Sequence, residues 1–511
     1  MNLNTKIPSE IVAISVKLKK AGFEAYLVGG CTRDLLIGRK PKDWDFATNA
    51  TPDQIVGVFG SDETFYENDF GTVTVKNPAS LLPELRRTSE DPTLQNVEIT
   101  PYRKEGKYSD KRRPDGVTWA KTLHEDLERR DFTINAIAYD IEPSSTKTTD
   151  GHIGQIIDPY GGQKDIKDKT VRSVGNPQER FEEDALRLLR AIRIATELSF
   201  AIESNTADAI LRVANLLAIV AKERINTEFS RIVMSKEPMV GIVTCEKLGL
   251  LRYILPELLE GIGCEQNGDH IYHVWEHNLR AVQHSADRDW PLHVRLAALL
   301  HDVGKPKTRV WSNENKDWTF YGHDVVGARM ARKALERLKY SREVIEKVEK
   351  LVRWHLFFTD IDKITLSAVR RIVAQVGPSL VWDLMHVRAC DRIGMGRPKE
   401  LPYRLRKYES MIEEAMRSPV SVAMLKIDGR KIMEVTGEKP GPRLGWILHA
   451  LLEEVLDDPT RNTEKYLSDK TKALSSLPDP ELKALGEAGK DARDEAENIE
   501  LTEIRKKYGV K

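Results

Sequence analysis

From about Glu179 to its C-terminus this 511-residue chain keeps a helical hydrophobic period, segment after segment, with Gly and Pro as punctuation. A stretch of that kind must fold as packed helices, each burying one apolar stripe. The first part, to about Asp140, behaves differently. Ala25 to Val28 is a short apolar run that ends in Gly29-Gly30 and is followed by a helical segment over Cys31 to Ile37. Strand-like runs recur at Thr72 to Val75 and Asn96 to Thr100, and helical periodicity takes over from Asp131. The expectation is an α+β chain, a small α/β head followed by a long all-α remainder without a fixed-period repeat.

The length suggests three or four domains at roughly 150 residues each. With 40% hydrophobic and 31% charged residues the chain reads as a soluble globular protein. No apolar run approaches the ~20 residues of a membrane span, and Met1 to Lys20 lacks the apolar centre of a signal peptide. Cys31, Cys245, Cys264 and Cys390 lie far apart, which indicates neither a disulfide framework nor a thiolate zinc site. The expected location is cytoplasmic, with no membrane partner and with oligomeric state left open. The 79 basic residues cancel the 79 acidic ones, so any nucleic-acid partner must be held by local patches rather than bulk charge.

Chemistry is concentrated first in the head. Two glycines at a strand-to-helix turn let backbone approach phosphate, and Arg33, one turn into the helix, adds a cationic donor. Asp43-Trp44-Asp45 follows. In an extended strand, residues i and i+2 share a side, so Asp43 and Asp45 would face one point and Trp44 the core. Two carboxylates aimed together require a cation, and hard oxygen ligands suit Mg²⁺. Glu98, in the run Val97 to Thr100, is a third candidate carboxylate, although a solvent-facing strand glutamate would read the same. Arg129 and Arg130, opening a helix that continues through Asn135, are placed to hold triphosphate and ribose. The polar segment Lys104 to Val117 reads as a loop inserted between strands.

Further on, Glu183 to Arg193 reads as one helix with Asp184 and Arg187 three apart on one face. The bland reading is an i,i+3 ion pair. The functional one is sharper. Cytosine and adenine each present an exocyclic amino donor beside a ring-nitrogen acceptor, which a carboxylate next to a guanidinium complements. Guanine and uracil present the opposite sense and would leave buried groups unsatisfied. Arg190 and Arg193 continue along the helix towards phosphates or primer.

Gly29-Gly30 with Arg33-Asp34, the Asp43/Asp45 pair, Arg129 to Ala136, Asp158-Pro159-Tyr160-Gly161-Gly162 and Glu183 to Arg193 occur in that order. Together they resemble the class II tRNA nucleotidyltransferase/poly(A) polymerase family across about residues 20 to 260. Gly71-Thr72-Val73 and Lys439-Pro440-Gly441-Pro442 look more like the bacterial CCA-adding members than the poly(A) polymerases. The resemblance implies a polymerase-β-type nucleotidyltransferase head over residues 1–140, a neck and body over 141–264 and a helical, tRNA-gripping tail over 401–511. It implies that Asp43 and Asp45 are catalytic and hold Mg²⁺, and Glu98 stays the third candidate carboxylate from its strand position. It makes Gly30, Arg33, Arg130, Asp184, Arg187, Arg190 and Arg193 the nucleotide pocket for CTP and ATP. The partner is tRNA, and the loop at 104–117 takes part in switching between nucleotides. A poly(A) polymerase, or an A-adding member of a split CC/A pair, is the alternative within the family.

Nine of the twelve histidines fall between His270 and His386, where an even spread would place about three. The ordered set His277, His301-Asp302, His323, His355 and Asp391 resembles an HD-type phosphohydrolase domain over about residues 265–400. That resemblance implies one metal held by His277, His301, Asp302 and Asp391, with His323 and His355 supporting a second. Imidazole with carboxylate suits Mn, Fe, Co or Ni as well as Mg. A purely structural helical module is the competing reading.

Overall fold

Strand runs near the N-terminus form one sheet because their side chains alternate between two apolar faces. The computed structural model describes residues 3, 6–66, 71–76, 78–81, 91–105, 117–141, 154–268, 270–356, 364–417 and 421–510. Within it come β1 (Tyr26–Val28), β2 (Asp45–Thr48), β3 (Thr64–Tyr66), β4 (Val73–Lys76) and β5 (Asn96–Pro101). A separate ribbon, β6 (Arg103–Glu105) with β7 (Val117–Trp119), is followed by β8 (Ala138–Asp140) and β9 (Gln155–Ile157). The seven-stranded sheet has the order β3-β4-β5-β2-β1-β8-β9, with β2 and β5 parallel and its other pairs antiparallel. Its edge strand β9 lies past residue 140, where periodicity alone had ended the head.

Leu27, Phe46, Val97 and Ile99 point to one face of the sheet, where Ile11, Ile14 and Leu18 of the helix Ser9–Lys20 and Ile55 and Phe59 of the helix Pro52–Phe59 cover them. Burying each such side chain contributes about 1.5–3 kcal/mol. Among the described residues the opposite face carries a smaller cluster around Val28, Ala47, Tyr102, Leu127 and Ala138. That lighter face is free for chemistry. Capping boxes start two head helices: Thr51 with Gln54, and Thr122 with Glu125.

Two readings change here. Arg129 to Ala136 does not open a helix. The helix Leu123–Glu128 ends before it, one 3₁₀ turn spans Thr133–Asn135, and the chain enters β8. Nor is Glu183 to Arg193 continuous: the helix Pro177–Glu183 stops at Asp184, which is extended at φ −131° and ψ 105°, and the helix Leu186–Leu198 begins two residues later.

The chain divides into two compact units, residues 1–353 with 393–396, and residues 354–392 with 397–511. After the head, the described residues of the first unit are helical apart from two ribbons. These are the parallel pair β10 (Thr170–Val171) and β11 (Ala201–Ile202), and the hairpin β12 (Val310–Ser312) and β13 (Asp317–Thr319). The second unit is helical among its described residues and ends in the helix Asp479–Lys507. Gly486 and Gly489 pass through this helix because it crosses the helix Pro442–Asp457 there. A Cβ on Gly489 would sit 2.1 Å from the His449 carbonyl oxygen. Among the described residues no helix is long and apolar enough to cross a membrane.

Candidate functional site

The head site is assembled around the turn between β1 and the helix Gly30–Leu36. Gly29 has φ +75° and ψ −137°, a conformation that favours glycine. A Cβ there would stand 3.2 Å from Nη1 of Arg130 and 3.4 Å from Oδ2 of Asp45. On Gly30 it would stand 3.7 Å from both Nη2 of Arg33 and Oδ1 of Asp43. Two carboxylates and two guanidiniums thus surround one stretch of bare backbone. Asp45 lies on β2, whereas Asp43 sits in the bend before it and is exposed, so the pair is not carried by one strand. Trp44 is buried in the core face, as alternation requires. Glu98 on β5 is in direct parallel register with Asp45, and Val97 and Ile99 point the other way. The three acidic residues therefore occupy neighbouring positions on the lightly covered face. This donor set fits a divalent cation beside a triphosphate: hard oxygens on one side, cationic donors on the other.

Buried acids hold the cationic donors in place. Asp126 accepts Nε and Nη2 of Arg129 on one oxygen, at 3.0 and 2.5 Å, and Nη2 of Arg130 on the other at 3.0 Å. Burial alone would raise its pKa, but Arg130 and Arg129 outweigh it and hold the carboxyl below its ordinary value. Asp131 receives Arg190 through Nε and Nη2, at 2.9 and 2.7 Å, and the amide of Asn135 at 3.1 Å. Burial is again opposed, by Arg190 and Asn135, and this carboxyl is driven well below the usual range. Asn135 in turn accepts Nη1 of Arg33 at 2.8 Å. A continuous chain of charge-assisted bonds runs from the helix Gly30–Leu36 to the helix Leu186–Leu198.

In the neck, the carboxylate of Asp184 is taken by Arg224, not by Arg187, with contacts of 3.2 and 2.7 Å. It also accepts the amide of Leu186. Arg187 donates to Glu183 at 2.6 Å and to the carbonyls of Arg180 and Arg129. Arg193 pairs with Glu228 and Glu197 and is buried. The segment 106–116, most of the expected loop, lies outside the described residues.

A second constellation is built on the helices Val274–Asp287 and Leu292–Leu300 and the start of the helix His323–Arg337. Nε2 of His277 and Nε2 of His301 face each other at 2.8 Å, and Oδ2 of Asp302 lies 3.1 and 3.4 Å from them. Nε2 of His323 is 3.2 Å from Oδ1 of Asp302. Nδ1 of His301 donates to the Ala298 carbonyl at 2.8 Å and Nδ1 of His323 to that of Phe320 at 2.6 Å. With Nδ1 protonated, the Nε2 lone pairs turn inward together, an arrangement that suits a bound cation. His270, absent from the expected ligand set, offers a ligand atom within 4.8 Å of those of His277 and Asp302. Burial, then Lys305, pushes its pKa down to about 4, which keeps the ring neutral. Asp302 is held well below its ordinary value, Lys305 and His301 overcoming the effect of burial. His355 and Asp391 belong to the second compact unit, where Asp391 accepts Nη1 of Arg388 at 2.5 Å.

Residues 25–172 match the model of the poly(A) polymerase head domain. Residues 199–261 match that of the probable RNA- and SrmB-binding site of polymerase A, and residues 268–389 that of the HD domain. The chain is 30% identical to the CCA-adding enzyme of Ligilactobacillus salivarius, over 92% of this chain and 98% of that one. It is 33% identical to the CC-adding tRNA nucleotidyltransferase of Thermus thermophilus, over 84% and 89%. To the A-adding tRNA nucleotidyltransferase of Deinococcus radiodurans it is 35% identical, over 66% and 76%. Its fold is like that of the Bacillus stearothermophilus CCA-adding enzyme crystallised with CTP, at a TM-score of 0.56 and 24% identity over 91% and 98% of the chains.

Proposed function

The chain belongs to the class II tRNA nucleotidyltransferase/poly(A) polymerase family, and we propose that it adds C, C and A to the 3′ end of tRNA from CTP and ATP. The observation that carries this reading is the glycine turn with Asp43, Asp45, Arg33 and Arg130 gathered against it. In this reading the backbone of Gly29 and Gly30 lets the triphosphate come close while Arg33 and Arg130 bind its oxygens. Asp43 and Asp45, with Glu98 beside them, hold Mg²⁺. Divalent ions bound there would lower the pKa of the tRNA 3′-hydroxyl and stabilise the departing pyrophosphate. Asp131 and Asn135 keep Arg190 and Arg33 oriented from behind.

Base choice falls to Asp184 and Arg187. Arg224 and the Leu186 amide occupy part of the Asp184 carboxylate, which has about four acceptor sites and so keeps room for an exocyclic amino group. The fixed carboxylate favours cytosine and adenine over bases that present a carbonyl there.

The HD region is read as a metal-dependent phosphohydrolase of RNA ends. His277, His301 and Asp302 would hold a transition metal such as Mn, Ni, Co or Fe, with His270 and His323 close by. By the order of the motif, Asp391 and His355 are further candidate ligands.

The deciding experiment incubates the purified chain with tRNA lacking CCA and with each nucleotide separately. Two additions from CTP and one from ATP are expected. Long tails from ATP alone would make it a poly(A) polymerase, and a single A on a tRNA already ending in CC, with CTP ignored, an A-adding enzyme.

A further inference from the structure

The chemistry of the head is not spread evenly over its sheet. The glycine turn follows β1, Arg33 lies on the helix after it, and Arg130, which comes before β8, reaches Gly29. These groups belong to the side of β2 that carries β1 and β8. On the other side come β5, β4 and the edge strand β3. Pairing registers draw one row of residues outward across them: Asp45 is opposite Glu98, Glu98 opposite Thr74, and Thr74 opposite Phe65. Residues paired directly share a face, so this row lies on the lightly covered one. Val73 and Val75, the neighbours of Thr74, belong to the core on the other face.

Phe65 ends the row, three strand spacings or about 14 Å from Asp45. Thr74, between Phe65 and Glu98, is buried, whereas Phe65 is 37% exposed. The strand is pinned from its opposite face, where Oη of Tyr66 donates to Asp53 at 2.6 Å. Nζ of Lys76 lies over the Phe65 ring, 5.1 Å from its centre. The backbone amide of Lys76 donates to the Glu63 carbonyl at 2.8 Å, yet among the described residues the Lys76 ammonium makes no ion pair. A single exposed apolar residue is ordinary. Position distinguishes this one. An in-line displacement puts the attacking oxygen and the departing pyrophosphate on opposite sides of the reacting phosphorus. With the triphosphate against the turn after β1, the RNA 3′-hydroxyl arrives from the β5 side, where the outward row begins.

We propose that Phe65 is a stacking residue for the RNA strand, holding a base upstream of the 3′ end that reacts at Asp43 and Asp45. The proposal deepens the nucleotidyltransferase reading and rests on it, naming the side by which RNA enters and a residue that receives it. Charge does not decide the occupant, since Glu63 offsets Lys76 on the same strand pair. With the ammonium over one face of the ring, the base stacks on the other. A phenyl face accepts any base, so the contact positions the strand without reading its sequence.

The test compares full-length wild type with F65L and F65W. Leucine keeps apolar bulk but loses the π face, which tryptophan retains. Incorporation of CMP into tRNA lacking CCA is measured. F65L is expected to raise KM for tRNA about tenfold and to leave KM for CTP unaltered, with F65W near wild type in both. In parallel, the same tRNA carrying 4-thiouridine singly at each of its last three positions should photo-crosslink to Phe65 or Lys76. A wild type that incorporates nothing yet gives the crosslink defeats the nucleotidyltransferase reading and upholds the RNA contact. Neither incorporation nor crosslink overturns both. A wild type that incorporates CMP, with unaltered tRNA KM in F65L and no crosslink to β3 or β4, overturns the contact and leaves the reading intact. So does an equal rise of both KM values in F65L, which marks a general disturbance of the head. A change confined to self-association in sedimentation also overturns it, making the edge strand a contact between copies of the chain.

Discussion

Arg224 grips the carboxylate of Asp184 through a fork, Nη1 to Oδ1 at 3.2 Å and Nη2 to Oδ2 at 2.7 Å, across forty positions of sequence. A bidentate guanidinium fixes both position and plane, which one point charge cannot do. Asp184 sits where the chain leaves helical geometry, and locally only the Leu186 amide, at 3.0 Å, helps to aim its carboxylate.

The first prediction follows from that fork. Asp184→Ala should relax base choice, letting GTP and UTP in, and Arg224→Ala should reproduce much of the same effect without touching the base. Arg224→Lys should be intermediate, since an ammonium cannot span both oxygens. The measurement is kcat/KM for all four nucleotides. Undiminished rejection of GTP and UTP in both alanine variants would refute the templating role.

The carboxylates of the head make a sharper case. Asp43→Ala or Asp45→Ala should lower nucleotide incorporation by about a thousandfold or more, because negative charge on the triphosphate is then no longer offset. Any hydrolysis at the HD cluster should be untouched. Incorporation at wild-type rate by Asp43→Ala, checked with tRNA lacking its 3′ terminus, would remove the basis for the metal assignment.

Asp126 offers a test in stability. It is buried and serves two arginines, so Asp126→Asn leaves two guanidiniums under-compensated, at a cost of about 3 kcal/mol. Its folded pKa lies below the unfolded value, so the contribution is complete above about pH 4 and fades as pH falls through the folded pKa. The gap in head unfolding midpoint between wild type and variant should therefore be wide at pH 7 and narrower in acid. A gap independent of pH would show that Asp126 is not acting as an anion.

For the second cluster the readout is metal content. Asp302→Ala removes the oxygen that lies 3.1 and 3.4 Å from two imidazoles, and affinity for Mn²⁺ or Ni²⁺ should fall by more than about a hundredfold. Elemental analysis after dialysis measures this directly. Equal metal retention by variant and wild type would favour a purely structural role for the region.

What the sequence reveals here depends on how local the signal is. Gly29-Gly30, the acidic pair and His301-Asp302 are short-range patterns, and each falls among the described residues. The role of Trp44 is legible from alternation alone. The break at Asp184 is not, since Glu183 to Arg193 holds its helical period straight through it. Nor is the partner of Asp184, because a contact across forty positions leaves no trace in spacing. Asp126 is legible in the spacing, since it precedes Arg129 and Arg130 by three and four residues, the helical neighbour distances. His270 lies seven residues before His277, outside the helix that carries that residue, so helical spacing does not group the two.

Gly29 combines backbone and site in one position. With φ +75° and ψ −137°, any side chain there strains the turn by about 1–3 kcal/mol, and its Cβ would press on Nη1 of Arg130 at 3.2 Å. Gly29→Ala should therefore lower stability and also raise KM for CTP and ATP, as Arg130 is pushed off the phosphate. Gly22→Ala separates the two effects. Gly22 also has positive φ, +87°, but a Cβ there meets nothing within 4 Å, so that variant should lose stability and keep its nucleotide KM. Equal KM values in the two variants would mean that strain alone matters and that the backbone at Gly29 is no phosphate cradle.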